Sequence, residues 1–134
     1  MTQHPLNLLI VSSEAVPYAK TGGLADVVGA LPLEFAKLGH DVIVLLPRYR
    51  CVRTSGRVFR PVCQLRVPTP EGTVEALVEE DILSTGRGND RVRVWSIQHD
   101  AFFDRSGLYQ DQGGDYPDNL DRFALFCRAT IEVI

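Results

Sequence analysis

The chain opens on a short apolar run, NLLIV at residues 7–11, bounded by Pro5 on one side and by Ser12, Ser13 and Glu14 on the other. A continuous run of this length, closed by turn-forming residues, predicts a strand buried in a sheet covered on both faces. Leu24, Val27, Val28, Leu31, Phe35 and Leu38 then recur at offsets of 3, 4, 7, 11 and 14 residues from Leu24, which is one stripe of an α-helix. Gly39 stands where a C′ glycine would end it. DVIVLL at residues 41–46 follows as a second buried strand. Residues 7–46 therefore predict a βαβ unit with a right-handed crossover. Ligands in such units sit where loops leave the carboxyl ends of strands, and residues 12–23 form that loop.

Residues 58–67 and 74–83 are β-rich and are split by Pro68, Thr69, Pro70, Glu71 and Gly72, the pattern of a hairpin with a stiff turn. We expect it as an excursion beside the main sheet. A polar turn at residues 85–90 leads to VRVWSIQ at 92–98, which returns as another core strand. Near Leu120 a last helix begins, capped by Asp118 or Asn119. Phe123, Ala124, Leu125, Phe126, Cys127, Ala129, Ile131, Val133 and Ile134 make it apolar on most sides, so it needs cover on several faces. It reaches Ile134 with neither a glycine nor a polar turn, which gives the expectation that the chain is part of a longer protein. The fold class expected is α/β, a parallel sheet with flanking helices.

Composition narrows the possibilities further. A chain of 134 residues is one domain's length and buries about two-thirds of the surface it exposes when unfolded. Its net charge of −3, from 14 basic and 17 acidic residues, is close to neutral and points to neither nucleic acid nor an anionic membrane surface. No segment reaches the roughly 18 apolar residues of a membrane-spanning helix. The first strand starts at residue 7, too early for a signal or transit peptide before it, so a cytoplasmic setting is expected. Cys51, Cys63 and Cys127 are odd in number and lack C-x-x-C spacing, which predicts reduced thiols. Asp100, Asp104, Asp111, Asp115, Asp118 and Asp121 do not fit a calcium loop and read as solvated acids, so no metal is expected. Arg48, Arg50, Arg53, Arg57 and Arg60 read as a solvated basic face, with a weak partner contact as the alternative.

The chemistry concentrates in KTGGLADVVGALP at residues 20–32. The first N–H groups of a helix lack intrahelical acceptors and carry about half a unit of positive charge. Gly22 and Gly23 let a ligand approach the backbone without meeting a Cβ, and Lys20 adds a mobile cation. Together they suit a diphosphate. The competing reading is a plain tight turn before a helix. Lys-Thr-Gly-Gly reverses the order of a P-loop, and no G-x-G-x-x-G occurs. The second strand ends in Leu46, Pro47 and Arg48 rather than in the acid of a dinucleotide fold, which disfavours a nicotinamide enzyme. No cofactor is expected.

VSSEAVPYAKTGGLADVVGALP, LGHDVIVLLPRY, HDAFFDRSGLY and DYPDNLDRFALFCRA closely resemble segments of bacterial glycogen synthases and plant starch synthases. The resemblance spans nearly the whole chain, with only the middle loosely matched. It implies a GT-B fold of two Rossmann-like domains with the active site between them. Residues 1–134 would then be an incomplete amino-terminal domain, with the carboxy-terminal domain absent. It also implies retaining transfer of glucose from a nucleotide sugar, usually ADP-glucose, to the non-reducing 4-hydroxyl of an α-1,4-glucan. By position, Lys20 matches the lysine that contacts the donor diphosphate, and Gly22 and Gly23 match the loop whose backbone meets it. Asp26 matches a carboxylate at the sugar end of the cleft, and Tyr109 an aromatic there. Taken alone, Asp26 is also a first-turn acid favoured by the helix dipole, and Tyr109 a half-buried loop aromatic. No catalytic residue is assigned, and the choice of ADP or UDP stays open. The 134-residue chain by itself is expected to bind donor weakly without turnover. Two other readings stand beside this one: a GT-B transferase with a different donor, and a non-enzymatic glucan-binding or interaction domain.

Overall fold

The structure, a computed structural model, describes residues 4–86, 88 and 90–134. Its elements run β1 (Asn7–Val11), α1 (Gly23–Lys37), β2 (Asp41–Pro47), α2 (Arg50–Arg53), β3 (Arg60–Thr69) and β4 (Gly72–Ser84). They continue through β5 (Arg91–Gln98), α3 (Asp100–Phe103), β6 (Gln110–Asp111), β7 (Gly114–Asp115) and α4 (Asn119–Val133). Five strands form one sheet in the order β1-β2-β5-β4-β3. β1, β2 and β5 are parallel; β4 runs antiparallel to β5, and β3, antiparallel to β4, returns to the direction of β5. The fold is α/β with a Rossmann-like parallel portion, as the sequence pattern indicates.

The interior follows from the continuous apolar strands. Val42, Val44, Leu45 and Leu46 of β2 meet Val92, Val94 and Ile97 of β5, and all are buried. β2 has a partner on each side, which is why it carries the longest apolar run. Gly39, at φ +89°, closes α1. Its N–H reaches Ala36 O at 2.9 Å and that of His40 reaches Phe35 O at 3.1 Å, the two bonds of a Schellman ending.

Four details depart from the sequence pattern. The hairpin does not stand apart: β4 pairs with β5 from Leu77 to Ser84 and extends the main sheet. Its turn is only Pro70 and Glu71, with Gly72 at φ +125°. Pro61 and Pro68 are admitted to β3 because it is the edge strand of the sheet. β1 is only partly covered, with Val11 43% exposed, because its other edge has no strand beside it among the described residues. On α1 the buried face is Ala25, Val28, Pro32 and Ala36, whereas Leu24, Val27, Leu31 and Leu38 are exposed. The cause is a close approach: a Cβ on Gly29 would lie 2.9 Å from both Cβ and O of Val16. Only small residues fit on the face toward that loop, so the large ones turn outward. Of the polar turn expected at residues 85–90, Arg87 and Asn89 lie outside the described residues.

Candidate functional site

The loop joining β1 to α1 is fastened along its length. Ser12 donates its Oγ–H to Glu14 O at 2.8 Å and accepts the Glu14 N–H at 3.2 Å. Ala15 and Ala19 exchange backbone bonds around a turn containing the cis Val16–Pro17 peptide. The Tyr18 hydroxyl, on a buried ring, donates to Asp81 Oδ2 of β4 at 2.7 Å, and Arg57 Nε holds the same carboxylate. Burial first, and then Asp81, push the Tyr18 hydroxyl well above its ordinary pKa. The Val16 N–H reaches Ala25 O at 3.0 Å and ties the loop to the start of α1.

At the helix entry the two glycines are not demanded by their own surroundings. Gly22, the N-cap residue, has φ −160°, which is extended backbone, and neither it nor Gly23 adopts positive φ. A Cβ on either would meet nothing within 4 Å. A tight turn needing left-handed glycine is therefore not their reason, and the space above them is open to a ligand. Lys20 stands beside them with Nζ at 2.7 and 2.9 Å from the Asp26 carboxylate oxygens. Both side chains are more than half exposed, so this pair is worth about 0–1 kcal/mol and yields readily to a more highly charged anion.

Beneath this surface lies a group the sequence pattern does not single out. Glu14 is only 5% exposed. Its Oε1 accepts the N–H of Thr21 at 2.5 Å and of Gly22 at 3.3 Å; its Oε2 accepts the hydroxyls of Thr21 and Tyr109, each at 2.7 Å. Burial alone would raise its pKa, but the bonds from Tyr109, Thr21 and Gly22 outweigh burial and hold the carboxyl below its usual range. Tyr109 is pushed up to about 12, by burial first and then by Glu14. Its hydroxyl oxygen in turn accepts from Ser13 Oγ at 2.8 Å.

The loop carrying Tyr109 is organised by Arg122 of α4, which is fully buried. Its Nε donates to Phe102 O at 2.6 Å, and its Nη1 donates to Leu108 O at 2.9 Å and Asn119 Oδ1 at 2.8 Å. The guanidinium lies against the rings of Phe103, Tyr116 and Phe123. Gly107 has no room for a side chain, since a Cβ would fall 1.9 Å from Gln110 O. Asp118 is the N-cap residue of α4 but makes no side-chain cap bond; its carboxylate instead takes two bonds from Arg105.

The basic face expected after β2 is largely neutralised within the fold. Arg48 pairs with Glu79, Arg50 and Arg53 with Asp104, and Arg57 with Asp81. Among the described residues no three acids, histidines or cysteines gather in a metal-holding group, and Cys51, Cys63 and Cys127 are free thiols. No helix of the described residues is long and apolar enough to cross a membrane. Two open hollows, of about 250 and 530 Å³, lie along the hairpin side of the sheet, away from Lys20. The structure thus brings Lys20, Gly22, Gly23 and Asp26 together on the turn into α1, and joins Tyr109 to that turn through Glu14.

A family model described as the starch synthase catalytic domain matches residues 7–134. A glycogen synthase of Syntrophotalea carbinolica is 40% identical over 133 residues, covering 96% of this chain and 26% of that protein. One of Myxococcus xanthus is 43% identical over 120 residues, covering 89% of this chain and 24% of that protein. The chain therefore spans about a quarter of the length of these curated relatives. Among solved structures it is similar to the catalytic domain of starch synthase IV from Arabidopsis thaliana bound to ADP and acarbose. That match has a TM-score of 0.77 and 27% identity, and covers 97% of this chain and 25% of the other.

Proposed function

This chain belongs to the starch synthase catalytic-domain family, and from that premise we propose that it forms the donor-side corner of a glucan synthase. The reaction is transfer of glucose, with retention, from ADP-glucose to the non-reducing 4-hydroxyl of an α-1,4-glucan. The observation that carries this reading is the pair Gly22 and Gly23, bare toward solvent with no internal need for glycine, at a helix start beside an exposed lysine. The Arabidopsis neighbour carries ADP and acarbose, which supports both the donor base and the glucan class.

In such a transfer the departing diphosphate gains negative charge as the sugar becomes oxocarbenium-like, and fixed positive groups must stand where that charge develops. The N-terminus of α1 supplies backbone N–H groups and Lys20 supplies a full charge that leaves Asp26 at little cost. In this reading Asp26, released from Lys20, serves the sugar end, and Tyr109, tied to the same turn through Glu14, supplies the aromatic. The cations opposing Lys20 belong to the second domain, outside residues 1–134. The edge of β1, which has no strand beside it among the described residues, supports reading residues 1–134 as an incomplete domain. The setting is cytoplasmic, with no nucleic-acid or membrane partner.

Titration of this chain with ADP-glucose, followed by backbone amide NMR, tests the reading. Lys20→Ala removes a charge-assisted contact and should weaken binding by roughly tenfold or more. Equal affinities for the two proteins would overturn it.

A further inference from the structure

Glu14 and Tyr109 are 95 residues apart in sequence and share a hydrogen bond. The carboxylate has about four lone-pair positions, and four donors face it: the Thr21 and Gly22 N–H groups and the Thr21 and Tyr109 hydroxyls. Among the described residues no Lys or Arg pairs with it. A buried charge is tolerated when its hydrogen-bonding capacity is filled, and here donors from the loop and from Tyr109 fill it. An incoming diphosphate that took the Thr21 and Gly22 N–H groups would strand a carboxylate 5% exposed. The anion is therefore left with the next N–H groups of the helix, those of Gly23 and Leu24.

We propose that Glu14 is a positioning residue of the donor corner: one buried carboxylate fixes the backbone of Thr21 and Gly22 and anchors Tyr109, so that the diphosphate seat and the aromatic beside it move as one unit. This rests on the donor reading of Lys20, Gly22 and Gly23, but its first test does not depend on that reading. The other titratable groups around Glu14 are Tyr109, Tyr49 and, on the turn above, the Lys20–Asp26 pair. Both tyrosines ionise far above the acid range and keep their protons across it.

The experiment is amide NMR on the 134-residue chain across the acid range, repeated for Glu14→Gln and Tyr109→Phe. The glutamine keeps the length and one acceptor but removes the charge. In the parent chain the Thr21 and Gly22 amide protons should resonate downfield and move upfield together as pH falls through the lowered pKa of Glu14. In Glu14→Gln they should lie upfield from the outset and lose that step. In Tyr109→Phe the step should persist but move to higher pH, because one donor to the ionised form is gone. ADP-glucose affinity should fall by roughly tenfold in Glu14→Gln. Thr21 and Gly22 amides that ignore both the acid titration and the Glu14→Gln change would overturn the proposal. If the glutamine variant does not fold, the parent titration and Tyr109→Phe decide in the same sense. A normal Thr21 response combined with ADP-glucose binding that ignores Lys20→Ala would instead sink the donor reading and leave the brace standing.

Discussion

An alanine at position 23 would sit in helical backbone and meet no atom within 4 Å. Alanine is favoured over glycine there by about 0.5–1 kcal/mol, so Gly23→Ala should hold or raise the denaturant midpoint. The same methyl stands in the path of a phosphate, and ADP-glucose binding should weaken. A variant both more stable and equally good at binding would leave the glycine unexplained. Lys20, Gly22, Gly23 and Asp26 were legible as a candidate site because they are neighbours in the chain, and one helix start gathers them. Glu14 was not, because its role depends on Tyr109, which only the fold brings near. Arg122 was hidden for a different reason. A single arginine among Phe123, Leu125 and Phe126 looks like the polar side of a helix, yet here aromatic faces and loop carbonyls hold it inside.

At the scale of elements, the packing of α1 on the loop at residues 12–22 sets where the helix points. Val16 O is backbone and cannot rotate away from a side chain placed at position 29. Gly29→Ala should therefore cost about 1–3 kcal/mol, seen as a lower thermal midpoint, and should push the loop off the helix. An unchanged midpoint would mean that the contact is loose. Periodicity identified the type of β1, α1, β2, the hairpin, β5 and α4. It placed Val28 and Phe35 of α1 correctly toward the core but not Leu24, Val27, Leu31 and Leu38, because large apolar residues dominate a hydrophobic stripe while close approach selects small ones. Nor could it give the antiparallel pairing of β4 with β5, which depends on a partner strand and not on the pattern within either one.

Across the whole molecule, large apolar side chains stay exposed on three elements: Leu24, Val27 and Leu31 on α1, Leu120 and Ile131 on α4, and Val11 on β1. The corner of Lys20 is an open face, and under the proposed function it forms one wall of the donor cleft. A wall of this kind binds its ligand weakly, and residue-resolved detection is needed. The most direct measurement is a titration of the isotopically labelled chain with ADP-glucose, following every backbone amide. The largest shifts should fall on Lys20, Gly23 and Leu24, with smaller ones on Thr21 and Gly22, which are already held by Glu14. Shifts gathered instead around Gln64 and Gln98 on the hairpin side, with the helix entry unmoved at saturation, would contradict the assignment of this turn as the diphosphate seat.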